Sequence, residues 1–151
     1  MRILIVNTSE RIGGAAVAAQ RLVDALNNSG VQARMLVRDK QTDNLTVVPL
    51  PKSVLHRWRF LWERWTIFWH LLFNRRNLFA IDVANTGTDI TSLPEFKQAD
   101  IIHLSWINQG MLSLNGIRKI INSGKPVVWT MHDIWPATAI CHLTLGCNHF
   151  K

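Results

Sequence analysis

Three stretches of the sequence bring polar groups to points where an apolar run ends, and each could take part in phosphate or sugar chemistry. The first is Glu10-Arg-Ile-Gly-Gly-Ala-Ala-Val-Ala-Ala19. Gly13 and Gly14 let backbone come close to a ligand, and a helix starting there would offer free N–H groups and its positive dipole end to a phosphate. It is not the dinucleotide G-x-G-x-x-G pattern, and a tight turn without a ligand is the alternative. The second is Ala99-Asp-Ile-Ile-His-Leu-Ser-Trp-Ile-Asn108, where His103, Ser105, Trp106 and Asn108 follow an apolar strand. Open parallel sheets bind ligands beyond the carboxyl ends of their strands, so these polar groups are site candidates. The plainer reading is a structural histidine beside a packed tryptophan. The third is Val127-Val-Trp-Thr-Met-His-Asp-Ile-Trp-Pro136, which delivers His132 and Asp133 in the same way. A histidine next to a carboxylate can hydrogen-bond a sugar hydroxyl or transfer a proton. An aspartate capping a turn, with a backbone-held histidine, is the alternative.

Two further patterns carry other chemistry. Between His56 and Arg76, helical spacing places Trp58, Leu61, Trp62, Trp65, Phe68, Trp69, Leu72 and Phe73 on one face. Arg59, Glu63, Thr66, His70 and Asn74 take the other side, with Arg57, Arg64 and Arg75 flanking the stripe. Four tryptophans on a basic helix suit a bilayer interface, so Trp58, Trp62, Trp65, Trp69, Arg57 and Arg64 are candidate membrane-surface residues. A core-facing helix is the rival, favoured by a second apolar set of Phe60, Ile67 and Leu71. Near the end, Cys141-His142 and Cys147-x-His149 bring together residue types that can ligate metal. Zinc needs about four ligands and adjacent Cys141 and His142 are poorly placed to serve together, so two free thiols and no metal are expected.

The elements that must position these groups alternate. Residues 1–7, 32–38, 45–48, 100–104 and 126–132 read as strands, while 15–28 and 111–122 read as helices closed by Gly30 and Gly124. Such alternation implies an α/β fold, a parallel Rossmann-like sheet with flanking helices and right-handed crossovers. The length, 151 residues, suits one domain carrying an amphipathic, Trp-rich segment at about 53–78. No packing element is expected after the last strand, so the chain reads as a truncated domain. Nothing resembles a secretory leader or a membrane span, which points to the cytoplasm. Net charge is +7, of which residues 52–76 contribute +5. Such local basicity favours anionic partners. Nucleic acid is not expected among them, because the tryptophans share one helical stripe instead of an open stacking platform.

The Gly-Gly-Ala-Ala loop, the Ala-Asp-Ile-Ile-His strand and the Val-Val-Trp-Thr-Met-His-Asp strand, in this order, resemble the family 4 retaining glycosyltransferases. The resemblance covers most of the chain and is weakest at residues 52–79. It implies the amino-terminal half of a GT-B enzyme, in which two Rossmann-like domains face each other, and a missing carboxyl-terminal partner domain. It further implies that Gly13 and Gly14 face the donor pyrophosphate, and that His132, with Asp133 beside it, lies near the donor sugar as the catalytic pair. His103, Ser105, Trp106 and Asn108 would line the acceptor side. Ser105 departs from the pattern, since close relatives often carry a second histidine there. The intact enzyme would move a sugar from a nucleoside-diphosphate sugar, its donor substrate, to a glycan or lipid-linked acceptor, with no cofactor. It would work in the cytoplasm, peripheral on the inner face of an anionic membrane, and this chain alone would be inactive. A non-catalytic membrane-surface or interaction module on the same scaffold is the competing expectation.

Overall fold

The apolar run after Met1 has nowhere to put its side chains but inside, and it becomes the centre of the sheet. The structure, a computed structural model, describes residues 1–51, 54–73, 78–138 and 140–143, with the backbone alone at 54–56. Strand β1 (Arg2–Ser9) is buried from Leu4 onward. It pairs in parallel with β2 (Gln32–Asp39) on one side and β4 (Ile101–Leu104) on the other. With β3 (Val47–Pro49) and β5 (Val127–Trp129) the order is β3-β2-β1-β4-β5, every pair parallel. This is the Rossmann-like α/β sheet that the alternation implied.

Strand alternation sends neighbouring side chains to opposite faces, and each face builds its own core. Ile5, Met35 and Val37 meet helix α1 (Gly14–Asn28) through Ala19 and Val23. Leu4, Val6, Leu36, Ile102 and Leu104 meet the other layer. That layer contains α3 (Pro94–Gln98), α4 (Leu114–Ile121) and α5 (Trp135–Thr138). Helix α2 (Val54–His70) precedes α3 in the crossover between β3 and β4.

The boundaries differ from the sequence reading in four places. Helix α4 starts at Leu114, because the Ser113 hydroxyl caps it by accepting the Gly116 N–H while Met111 and Leu112 are consumed by the core. Strand β5 stops at Trp129, after which the chain leaves the sheet. The short α3 was not foreseen, nor was α5, which occupies the stretch expected to be coil. Trp135 there is fully buried and its indole N–H donates to the Asp82 carbonyl at 2.7 Å. Among the described residues no helix is long and apolar enough to cross a membrane.

Helix α2 turns an unexpected face inward. Ile67 and the charged pair Glu63 and Arg64 are buried, whereas the tryptophans point out. Glu63 Oε1 accepts the Ala84 N–H at 2.7 Å, and Arg64 donates to the carbonyls of Leu78 and Ile81. The Arg64 guanidinium lies 3.8 Å from Glu63 and 3.5 Å from Asp82. Arg64 is therefore a core residue, not a membrane-surface one: the buried Asp82 carboxylate and the Leu78 and Ile81 carbonyls hold it inside. Glu63, expected on the solvated side, is likewise interior.

Burial, reinforced by the Asp82 carboxylate, pushes the Glu63 carboxyl up to about 8, with Arg64 and the Ala84 N–H opposing. The folded state thus keeps a proton that the unfolded chain releases near 4.5. Stability is then fully present below that value and is lost as pH rises through about 8. We expect chemical denaturation to show a loss of roughly 2–3 kcal/mol between pH 6 and 9. Glu63→Gln, which imitates the protonated acid, should flatten that profile; equal slopes in both proteins would refute the assignment.

Candidate functional site

The sheet order reverses direction between β1 and β4, and there the carboxyl ends of the strands open a crevice. The exits of both strands are stitched together. Thr8 donates from its N–H to the Trp106 carbonyl at 2.7 Å, and its hydroxyl reaches the carbonyls of Trp106 and Asn108. The Asn7 side chain accepts the Trp106 N–H at 3.0 Å and donates to the Ser9 carbonyl. Ser9 Oγ then accepts the Ile12 N–H, turning the chain towards α1.

Gly13 sits at φ +88°, a left-handed conformation that an L side chain rarely adopts. Helix α1 begins beside it with no side-chain cap and no acid in its first turn. The N–H groups of Gly14, Ala15 and Ala16 precede the first intrahelical bond, from Val17 N to Gly13 O, and point out of the helix end. A Cβ on Gly14 would meet nothing within 4 Å, so the conformational demand falls on Gly13.

Glu10, in the same motif, has a role the sequence did not suggest. It is buried, and its carboxylate accepts the Gln41 and Thr42 N–H groups and the Thr42 hydroxyl. Burial alone would raise its pKa. The bonds from Thr42 and Gln41, with the nearby Lys40 charge, outweigh this and hold the carboxyl below its ordinary value. Glu10 therefore fastens the β2–β3 loop to the glycine turn.

Three side-chain pairs join the exits of β4 and β5. His103 Nε2 lies 2.7 Å from Thr130 Oγ1, Ser105 Oγ lies 2.9 Å from His132 Nε2, and the Trp106 indole N–H donates to Asp133 Oδ2 at 3.1 Å. Burial, with His132 nearby as a second cause, lowers the His103 pKa and keeps its ring neutral at pH 7. Asp133 is shared: Oδ2 also meets His142 Nδ1 at 2.6 Å, and Oδ1 accepts the Trp135 N–H.

A cavity of about 560 Å3 lies over these groups, lined by Asn7–Ser9, Ile12–Ala15, Arg38, Asp39, Trp106, Gln109, His132 and Asp133. It collects Gly13, Gly14, Trp106, His132 and Asp133 from the sequence candidates. His103, Ser105 and Asn108 are buried and do not line it; they stand behind its wall. His132 is exposed at the mouth.

Arg38 and Gln109 reach the cavity without having been singled out. The Arg38 guanidinium forks onto Asp39 with two contacts of 3.1 Å and donates to the Gln109 carbonyl. Their signal was position: Arg38 lies at the carboxyl end of β2, beside β1, and Gln109 follows β4. Cys141 is half-buried, and Cys147 and His149 lie outside the described residues. Among the described residues, no three His, Cys, Asp or Glu side chains are grouped to hold a metal ion.

The fold and the cavity define a Rossmann-like α/β domain whose ligand crevice opens at the carboxyl edge of the sheet. Comparison with family models, with curated proteins and with solved structures found no match to this chain.

Proposed function

We propose that this chain is the amino-terminal, Rossmann-like half of a GT-B retaining glycosyltransferase resembling family 4, acting on a nucleoside-diphosphate sugar. The observation that carries the reading is the convergence, in one cavity at the sheet's reversal point, of an uncapped helix amino terminus, an arginine and a histidine. The amides of Gly14 to Ala16 and the α1 dipole would receive the donor's diphosphate. When the bond between the anomeric carbon and the diphosphate oxygen breaks, its electron pair leaves with that oxygen. Preorganised amides stabilise the charge that develops there. His132 would hydrogen-bond a sugar hydroxyl, held in place by Ser105. The acceptor, a glycan or lipid-linked hydroxyl compound, would form the new bond on the face from which the diphosphate departs, its proton passing to the departing diphosphate oxygen. A second Rossmann-like domain facing this cavity would supply the remaining donor contacts, including those to the base.

The test is amide NMR of the 151-residue chain titrated with UDP, GDP and ADP at millimolar concentration. Shifts concentrated at residues 13–16, with the Trp106 indole and His132, are expected, and Gly13→Val should abolish them. Shifts for none of the three nucleotides, or shifts confined to the opposite, amino-terminal edge of the sheet around Arg2 and Arg34, would defeat the reading.

A further inference from the structure

Among the described residues, nothing covers the outward face of α2. Trp58, Trp62, Trp65 and Trp69 are each more than half exposed, and the turn that follows holds out Leu72, 85% exposed, and Phe73. Leu72 and Phe73 occupy left-handed backbone, at φ 49° and 64°, where such residues are rarely found. An apolar groove of about 390 Å3 runs along the stripe between Trp58, Leu61, Trp62, Trp65 and Thr86. Monomeric soluble domains rarely present a continuous apolar strip of this kind.

The helix cannot roll this face into the protein. Its opposite side is fastened at several points along its length. The Phe60 backbone N lies 3.3 Å from where a Cβ on Gly110 would sit, and Arg59 donates to Thr88 Oγ1 at 2.8 Å. Glu63 and Arg64 are locked in the buried cluster with Asp82. Rotation would expose that cluster and strand its charges.

Charge selects what covers the stripe. Between residues 54 and 73 the sole acid is Glu63, and it is buried, so the outward face carries no carboxylate. Arg57 and His70 are exposed beside the indoles. A second copy of this chain would bring no carboxylate on this face to pair with Arg57. An anionic lipid surface meets both features at once: its headgroups attract arginine, and its interfacial layer is where indoles partition.

We propose that the outward face of α2, with the Leu72–Phe73 turn, is a docking surface for an anionic bilayer, lying in the interface without crossing it. This inference does not depend on the transferase reading. It is tested by flotation at low salt, using the 151-residue chain with vesicles of phosphatidylcholine alone or with about one part in three phosphatidylglycerol. The wild type is expected to float with the anionic vesicles and far less with the neutral ones. Trp62→Ser/Trp65→Ser should weaken partitioning roughly tenfold or more, and Arg57→Glu by several-fold. Leu45→Ser, at an exposed apolar site elsewhere, should leave it unchanged. Because all these side chains are exposed, thermal unfolding should be unaltered, which separates a lost contact from a lost fold. The proposal is overturned if the wild type stays with the pellet, or if the tryptophan variant floats equally well. It is also overturned if sedimentation without lipid shows a dimer that the tryptophan variant dissolves, for then a second copy covers the stripe.

Discussion

Gly87→Ala is expected to cost about 3–5 kcal/mol of stability, lowering the melting temperature by roughly 6–20 °C. A methyl group there would sit 2.1 Å from the Ser113 N, 2.3 Å from the Leu112 carbonyl carbon and 2.7 Å from the Leu112 Cα. These are backbone atoms, so no side-chain rotation relieves the overlap. The two segments must separate, and they are tied. Thr88 N donates to Met111 O, and Leu114 N donates to Ala84 O, each at 2.9 Å. Moving them apart also drags Met111 and Leu112, both fully buried, out of the core that faces α4. Gly116→Ala is the control. Its Cβ would stand 3.4 Å from the Ser113 hydroxyl, an ordinary contact inside a helix, and should change stability by no more than about 1 kcal/mol, in either direction. Thermal and denaturant unfolding of the three proteins decides it; a Gly87→Ala midpoint within two degrees of wild type would show that the close approach is not real.

His132→Ala should lower turnover by roughly thirty-fold to nearly a thousand-fold, measured on a form of the protein that transfers sugar. Donor affinity should fall much less, because in the proposed function the imidazole would meet the sugar and not the phosphates. A contact of about 2–4 kcal/mol that strengthens in the transition state gives this split between kcat and KM. Its geometry rests on Ser105, itself buried, whose hydroxyl lies 2.9 Å from His132 Nε2. Ser105→Ala should therefore produce a smaller loss of the same kind, as a positioning residue would. Gly13→Val should do the reverse, weakening donor affinity more than turnover, because φ +88° is denied to valine and the amide cradle must distort. Gly14→Val, with open space at its Cβ, should be the milder of the two glycine variants. Near-normal turnover in His132→Ala would make the histidine structural and remove the centre of the proposed site.

Much of this architecture is legible in local sequence, because its causes are local. Apolar runs such as Ile3–Val6 can only be strands buried on both faces, and their alternation with helical segments calls for parallel crossovers. The glycine turn before α1 shows itself in Gly13 and Gly14, and the 3.6-residue period of α2 is plain from Trp58 to Trp69. Those patterns predict which elements form, but not that β5 ends at Trp129 and leaves His132 and Asp133 in the turn beyond it.

Tertiary contact decided the rest. Periodicity could say that α2 has two faces but not which turns inward. The choice was made by Asp82, distant in sequence, whose buried side chain lies 3.5 Å from Arg64 and helps raise the Glu63 pKa. The same holds for the pairing of Ser105 with His132 and of Trp106 with Asp133, which is made where the chain leaves the adjacent strands β4 and β5. It also holds for Arg38, which joins the cavity because β2 lies beside β1. Periodicity and turn chemistry act over a few residues. Burial of a charge depends on what the whole chain brings to its neighbourhood, and in low dielectric that cost outweighs the pull of four tryptophans toward the interior.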